Sequence, residues 1–287
     1  MKKKALLISI SLVVVIVIVA GALYFFTGGS NSSESKGGLK SKIDYSLIPV
    51  ESGHKWGYIN HKGKFVINPQ FKSAYPFVNG LAPVMVGHKW GYIDKTGKIA
   101  INPQFNQETN FKNGLAAVES GHKWGYINHK GKFVINPQFK FASIFRNGLA
   151  IVKTGHKWGY INKKGKFVIN PQFKLALPFV NNNNLAPVMV GHKWGYINHK
   201  GKFVINPQFK FASIFRNGLA VVVSGHKVGY INDKGKYIIN PQFKNAYPFK
   251  DGLAAIEVGN KWGFINEKGK IVINPQFNQV RYFNKYY

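Results

Sequence analysis

The sequence predicts an all-β repeat array in which each repeat forms a three-stranded antiparallel sheet. The motif Lys-Trp-Gly-Tyr-Ile or a close variant recurs along the 287 residues at intervals of 34, with one interval of 36. Every repeat also contains Asn-Pro, and its apolar positions are mostly aromatic or β-branched. Recurrent Pro and Gly exclude the helical repeats of similar length, whereas aromatic and β-branched residues favour strands.

The second repeat shows how the strands are predicted. Strand A covers Leu81–Val86, strand B covers Lys89–Ile93, and strand C covers Lys98–Ile101. The link between B and C closes on a Gly, which is typical of a type I turn followed by a residue with positive φ. After strand C, the spacing of Phe71, Ala74 and Phe77 in the first repeat predicts one short helical turn.

The chain divides into four segments by composition. Residues 1–4 form a basic cap, and residues 5–26 carry no charge and match the length of a transmembrane helix. Residues 27–44 are rich in Gly and Ser and read as a flexible linker. Residues 45–287 hold seven repeats, which begin near Leu47, Leu81, Leu115, Leu149, Leu185, Leu219 and Leu253.

The basic cap predicts the orientation of the N-terminal helix. Lys2, Lys3 and Lys4 stand directly before the apolar segment, so the positive-inside rule leaves them in the cytoplasm and the repeats outside. We expect a single-pass signal anchor in the cell membrane. The alternative is a secreted protein that is cleaved near Ala22, although the apolar run continues beyond that point to Phe26.

The arrangement of the repeats has two candidate solutions. Each repeat is short, complete and in phase with the others, which favours an open superhelix or solenoid. The alternative is a seven-bladed propeller-like ring, whose blades usually need four strands and about 40 residues.

One apolar column identifies the structural core of the repeat. An aromatic residue that recurs once per short repeat is more often packed in a core than exposed for stacking. Replacement of the Trp by Val in the sixth repeat supports packing, since Val cannot stack on a ligand. The column comprises Trp56, Trp90, Trp124, Trp158, Trp194, Val228 and Trp262.

Sequence patterns for catalysis, metal binding and cofactor binding are missing. The acidic residues are sparse and do not recur in register, and the chain has no Cys. Nine His residues lie beside strand B or in the B–C turn, and these two groups are too far apart along the strand to share one ion. We therefore predict no enzymatic activity, no metal site and no cofactor.

The Lys residues are the strongest functional signal. The chain has 40 Lys and Arg against 10 Asp and Glu, a formal charge of +30. One Lys column begins strand B and another follows the turn Gly, so two basic stripes are expected on opposite edges of the array. As candidates for polyanion binding we take Lys55, Lys89, Lys123, Lys157, Lys193, Lys227 and Lys261, and Lys64, Lys98, Lys132, Lys166, Lys202, Lys236 and Lys270.

The recurring motif resembles the WG repeat, also called the KWG repeat, of many bacterial proteins. The resemblance rests on Lys-Trp-Gly-Tyr-Ile-Asn/Asp, a Gly, an apolar run, Pro-Gln-Phe and Gly-Leu-Ala, and covers 47–287. Val228 and Phe264 depart from the usual Trp and Tyr. The resemblance implies a β-rich repeat array and brings no catalytic residue with it.

Together these observations predict a non-catalytic, membrane-anchored extracytoplasmic module. Its Lys-rich edges would bind anionic polymers of the cell envelope or a partner protein, and repeated weak sites would add up along a polymer. One alternative is a structural spacer whose charge serves solubility. Another is a nonspecific nucleic-acid binder, against which the scarcity of Arg and the predicted export both count.

Overall fold

A computed structural model describes residues 43–180 and 184–280 of the chain. By internal contacts the chain divides into two compact units, Met1–Phe145 and Arg146–Tyr287. The predicted signal anchor at 5–26 and nearly all of the predicted linker lie outside the described residues. Within the described ranges, no helix is long and apolar enough to cross a bilayer. Every regular element in these ranges is a β-strand.

The first compact unit contains fourteen described strands. They are β1 Ile43–Asp44, β2 Ile48–Ser52, β3 Lys55–Ile59, β4 Phe65–Phe71, β5 Ser73–Ala74, β6 Phe77–Val78, β7 Ala82–Val86, β8 Lys89–Ile93, β9 Ile99–Phe105, β10 Gln107–Glu108, β11 Ala116–Ser120, β12 Lys123–Ile127, β13 Phe133–Phe139 and β14 Phe141–Ala142.

The second compact unit continues the same succession of strands. They are β15 Leu149–Thr154, β16 Lys157–Asn162, β17 Phe167–Phe173, β18 Leu175–Ala176, β19 Ala186–Val190, β20 Lys193–Ile197, β21 Phe203–Phe209, β22 Phe211–Ala212, β23 Ala220–Ser224, β24 Lys227–Ile231, β25 Tyr237–Phe243, β26 Asn245–Ala246, β27 Leu253–Val258, β28 Lys261–Asn266 and β29 Ile271–Phe277.

Within the described ranges, six repeat sheets have four antiparallel strands and the first, β2-β3-β4, has three, so the prediction of three strands per repeat is wrong for all but the first. In the first unit the order is β5-β7-β8-β9, and in the second unit it is β18-β19-β20-β21. The extra strand is two residues long and lies where the sequence predicted a helical turn. Its backbone pairs with strand A, as Ser73 with Met85 and Ala74 with Val84. A helical turn would leave that edge of strand A without these partners.

A propeller blade usually has four strands, and the three strands predicted per repeat counted against a propeller-like ring. The fourth strand removes that argument. Each four-stranded sheet begins before the Leu that opens the sequence repeat. The sheet of the second repeat, for example, starts at Ser73 and ends at Phe105.

Strand C is longer than predicted because Asn-Pro-Gln-Phe belongs to it. Strand β4 runs from Phe65 to Phe71 and forms one edge of its sheet, where Pro69 costs no ladder hydrogen bond to a further strand. The register against strand B shifts between Tyr58, paired with Ile67, and Trp56, paired with Phe71. Strand C therefore bulges opposite Gly57.

This bulge explains why Gly follows Trp in strand B. A Cβ atom on Gly57 would lie 2.5 Å from the carbonyl oxygen of Ile67 and 2.7 Å from the nitrogen of Pro69. The same contacts recur at Gly125 with Ile135 and at Gly195 with Ile205. Only a residue without a side chain lets the backbone of strand C approach this closely.

The hydrophobic core lies between consecutive sheets. One cluster joins Tyr58 and Phe71 of the first repeat to Ala82, Val84 and Ile93 of the second. Another joins Trp194 and Phe209 of the fifth repeat to Ala220, Val222 and Ile231 of the sixth. In both clusters, strands B and C of one sheet pack against strands A and B of the next sheet in the same compact unit, the nearest-neighbour packing expected of a repeat array.

Candidate functional site: two lysine-rich edges

The edge that carries the A–B turns, here called the A–B edge, is built by a two-residue hairpin. Gly53 and His54 both have positive φ, +58° and +59°, which is the geometry of a type I′ turn. Lys55 then opens strand B. The tight turn places the imidazole and the ammonium group beside each other at the end of the sheet, and both residues are exposed.

The Lys after strand C reaches the same edge. The backbone amide of Lys72 donates to the carbonyl of Met85 at 2.9 Å, and its Nζ lies 3.3 Å from Nδ1 of His88 in the next A–B turn. Lys174 and His192 repeat this contact at 3.3 Å. At these two places the A–B edge therefore gathers two Lys and one His.

Where a residue of this pattern is replaced, the Lys at the A–B edge contacts a different side chain. Asn stands in place of this Lys at Asn106 and Asn278, and accepts a hydrogen bond from Lys89 and from Lys261, respectively. Lys244, at the end of the sixth repeat, contacts Glu257 at 3.0 Å and the Asn260 side chain at 2.8 Å in the seventh. Positive charge at the A–B edge is thus lower at these three places.

The opposite edge, here called the B–C edge, is formed by the predicted turn. In the first repeat, the carbonyl of Asn60 accepts from the amide of Gly63 at 3.0 Å, and its Oδ1 accepts from the amides of Lys62 and Lys64. Gly63 has φ +74°, which confirms the positive φ expected at the closing Gly. The Asn cap orients Lys62 and Lys64 away from the core, and both are exposed.

All fourteen candidate Lys are exposed. Within 43–180 and 184–280, none of the fourteen forms an ion pair. Two of them, Lys89 and Lys261, donate to neutral Asn side chains. Oδ1 of Asp94 accepts from the backbone amide of Lys98, and the Asp94 charge interacts with the Lys98 ammonium. The charge of the other thirteen Lys is not neutralised by an ion pair in the described part of the protein.

Two His residues of the B–C turn pack their rings against a Phe. His129 stacks on Phe111 at 4.2 Å between ring centroids, and His199 stacks on Phe179 at 4.1 Å. Burial lowers the pKa of both imidazoles, because a charged ring loses solvation there. These two His residues therefore add little positive charge at neutral pH.

The Trp column lies in the packing between and within sheets. Trp90, Trp124, Trp194 and Val228 are buried, and Trp56, Trp158 and Trp262 are partly buried. Trp90 stacks on Tyr75 with 5.3 Å between centroids, and Trp124 lies 5.7 Å from Phe141. A ligand would meet only the partly exposed ring edges.

One acidic residue has unusual surroundings that sequence reasoning missed. Glu108 lies in the short strand β10, at the position that Ala74, Ala142 and Ala176 hold in other repeats. Burial raises the pKa of its carboxyl to about 8. Its departure from the Ala pattern was the signal that could have identified it. Across the described ranges, no three His, Cys, Asp or Glu side chains are grouped to hold a metal ion.

Solved structures resemble the chain in fold alone. A crystal structure described as the eukaryotic initiation factor aligns with a TM-score of 0.55 and 10% identity, over 81% of this chain and 74% of that one. Kluyveromyces lactis Hsv2p aligns with a TM-score of 0.45 and 11% identity, over 84% of this chain and 99% of that one. No curated protein matches the chain significantly.

The family comparison agrees with the repeat. The family described as WG containing repeat matches successive segments at 56–90, 90–124, 124–158, 158–194, 194–227, 229–262 and 262–285. These matches span most of the chain and follow the spacing of the strand B motif. The chain therefore belongs to the WG-containing repeat family.

Proposed function

We propose that this protein is a non-catalytic binding module that holds anionic polymers of the cell envelope along its Lys-rich edges. The segment at 5–26 anchors it in the cell membrane, with the repeats on the extracytoplasmic side. The observation that supports this proposal is the repeated exposure of fourteen Lys that form no ion pair in the described part of the chain.

The type of charge fits a polymer with diffuse negative charge. Lys is a hydrated point charge, whereas Arg is better suited to the fork-like reading of one phosphate or base. Of the 40 basic residues, only Arg146, Arg216 and Arg281 are Arg. Arg146 is moreover buried, with 4% of its surface exposed. Many weak contacts with Lys on repeated edges add up when the ligand is itself a repeat.

Binding is tested with the full chain in neutral detergent and with three probes: sodium polyphosphate, poly-L-glutamate and neutral dextran. We expect binding to both polyanions that weakens steeply with added salt, since each Lys contact releases counterions. We expect no binding to dextran. Failure of both polyanions to bind at low salt would contradict the proposal and leave the structural spacer as the better account.

Two matched variants distinguish binding by a particular edge from attraction by the net charge of the protein. One changes the seven Lys of the Lys55 column to Gln, and the other changes the seven Lys of the Lys64 column, so both lose the same charge. If one edge holds the polymer alone, the variant that lacks the Lys of that edge loses more affinity at equal salt. Equal losses would show that the two edges contribute equally or that net charge alone sets the affinity, and circular dichroism checks that both variants remain folded.

The predicted topology has its own test. Protease added to intact cells should remove the repeats if they are extracytoplasmic, while a cytoplasmic marker protein stays intact. Protection of the repeats until the cells are lysed would refute the proposed location. The mass of the remaining N-terminal peptide distinguishes an uncleaved anchor from cleavage near Ala22.

A further inference from the structure

Strand C presents an exposed row of side chains that the Lys columns do not explain. Burial alternates along β4, with Ile67 and Phe71 buried while Val66, Asn68 and Gln70 are exposed. We call Lys64 and these three exposed residues the outward row. Equivalent rows are 98, 100, 102 and 104; 132, 134, 136 and 138; 166, 168, 170 and 172; 202, 204, 206 and 208; 236, 238, 240 and 242; and 270, 272, 274 and 276.

The two amides of this row do not vary among the seven repeats. Asn and Gln stand at the Asn68 and Gln70 positions each time, although both are exposed in every repeat. The exposed turn position of His61 changes freely to Lys95, Asp233 or Glu267 in other repeats. Asn is also unfavourable in strands, so propensity does not account for its presence.

The side-chain amides of these Asn and Gln residues also make few hydrogen bonds within the protein. Among the described residues, their hydrogen bonds are limited to two long ones, Gln70 Nε2 to the carbonyl of Asn68 and Gln138 Nε2 to that of Asn136, each 3.4 Å. The side-chain donors and acceptors thus remain available on the surface.

Neighbouring outward rows follow one another within each compact unit. In the first unit, Phe105 at the end of β9 contacts Phe133 at the start of β13, with 6.2 Å between centroids. In the second unit, Phe209 at the end of β21 contacts Tyr237 at the start of β25 at 6.3 Å. The end of one strand C therefore lies near the start of the strand C in the next sheet.

The chemistry of the row selects among anionic polymers. An amide side chain offers both a donor and an acceptor, which matches a hydroxyl group, whereas phosphate and carboxylate oxygens only accept. The Lys supplies the charge, and residues such as Val134, which is 48% exposed, supply an apolar contact. Charge complementarity and this donor–acceptor pattern together fit a polymer with both carboxylates and hydroxyls.

We infer that the outward rows bind an acidic polysaccharide, a chain of sugars that carries carboxylates. This inference rests on the proposed function and specifies its ligand. The Lys of each row pairs with a carboxylate, and the Asn and Gln amides exchange hydrogen bonds with sugar hydroxyls. Exposed Val or Ile at the centre of the row covers the apolar face of a sugar ring.

The test compares alginate, a polymer of uronic acids, with poly-L-glutamate, which has carboxylates but no hydroxyls. At equal carboxylate concentration and salt, the full chain in detergent should bind alginate more tightly, by about tenfold. A row variant changes Asn102, Gln104, Asn136 and Gln138 to Thr, which keeps strand propensity. Because five of the seven rows keep their amides, it should lose a measurable part of that preference and keep its affinity for poly-L-glutamate.

A control variant changes an exposed amide outside the outward rows and the Lys columns. Gln107 in β10 becomes Thr, the same replacement as in the row variant. This variant should retain the preference for alginate, and thermal unfolding checks that the row variant remains folded.

The outcomes distinguish the two proposals. If alginate and poly-L-glutamate bind equally, or if the row variant keeps the preference, the polysaccharide inference is wrong while polyanion binding stands. If neither polymer binds at low salt, the proposed function fails as well. Tighter binding of polyphosphate than of alginate would favour a phosphate polymer and would also overturn the inference.

Discussion

Buried amide groups in strand A are satisfied in two different ways. Between the second and third repeats, the backbone amide of Ala117 donates to Oγ1 of Thr109 at 2.9 Å. At the equivalent position of the fifth repeat stands Pro187, which has no backbone N–H. The backbone amide of Leu177 donates to the carbonyl of Pro187 at 2.9 Å. In these two pairs a hydroxyl faces an N–H and an apolar residue faces Pro, so the donor is either paired or removed.

This alternation can be tested by a double substitution. Thr109→Ala leaves the Ala117 amide without its acceptor and should lower the free energy of unfolding by about 1–3 kcal/mol. Adding Ala117→Pro removes the donor and should recover much of that loss. Urea unfolding of the two single variants and the double variant measures the coupling. Simple additivity of the two losses would contradict the explanation.

Glu108 gives the protein a pH-dependent stability. The folded pKa of about 8 exceeds the ordinary value of 4.5, so the folded state binds more protons than the unfolded state between these values. Stability must therefore fall as pH rises from about 4.5 through 8. Glu108→Ala should raise the free energy of unfolding at pH 9 by an amount on the order of a few kcal/mol, and change it little near pH 4.

The control for Glu108 is Glu51→Ala, which removes an exposed carboxylate in strand A of the first repeat. Thermal unfolding across this pH range should show the same slope for Glu51→Ala as for the unchanged protein. The slope should be smaller for Glu108→Ala, and an unchanged slope there would refute the assignment.

At the scale of the element, the strand B motif is determined by its pairing with strand C. Tyr follows Gly, and its buried hydroxyl donates to a carbonyl beyond strand C, as Tyr126 donates to Ser143 at 2.8 Å. The ring of Tyr126 packs on Phe145 with 4.8 Å between centroids. Gly125 between the two aromatics provides the space for the bulge. Each residue of the motif thus has a separate structural reason.

Substitution of the motif Gly should destabilise the sheet by overpacking. In Gly125→Ala the added Cβ would lie 2.5 Å from the Ile135 oxygen, so strand C must shift, at a cost of about 1–3 kcal/mol. Gly121→Asn is the matched control in the same hairpin, because Gly121 has φ +56° and open space around it, and Asn tolerates that conformation. Chemical unfolding should show a much larger loss for Gly125→Ala, and equal losses would contradict the bulge explanation.

The B–C hairpin was predictable because its signals are local. Asn60, Gly63 and the apolar alternation lie within one short segment, and a turn type follows from them. The short strand was not predictable in the same way. Residues 73–74 form a strand only because strand A offers a free edge there, which is a tertiary fact that local propensity cannot express.

At the scale of the whole molecule, the repeated sheet allows charge to accumulate at its edges. The core between sheets uses Tyr, Phe, Ile and Val, so nearly all Lys remain at turns and strand ends. Such a chain repels itself, and counterions or a polyanion relieve this repulsion. The same feature that makes the protein a candidate polymer binder therefore makes its affinity depend on salt.

The sequence by itself determined the period, the all-β class, the position of strand B, the closing Gly of the B–C turn and the two Lys columns. These depend on local patterns of Gly, Pro and apolar residues, which act within a few residues of each other. Only the tertiary structure decided the fourth strand, the bulge over the motif Gly, the partial burial of Glu108 and the exposure of the Asn and Gln amides. Each of these arises from contact between segments that are far apart in the repeat or in different repeats.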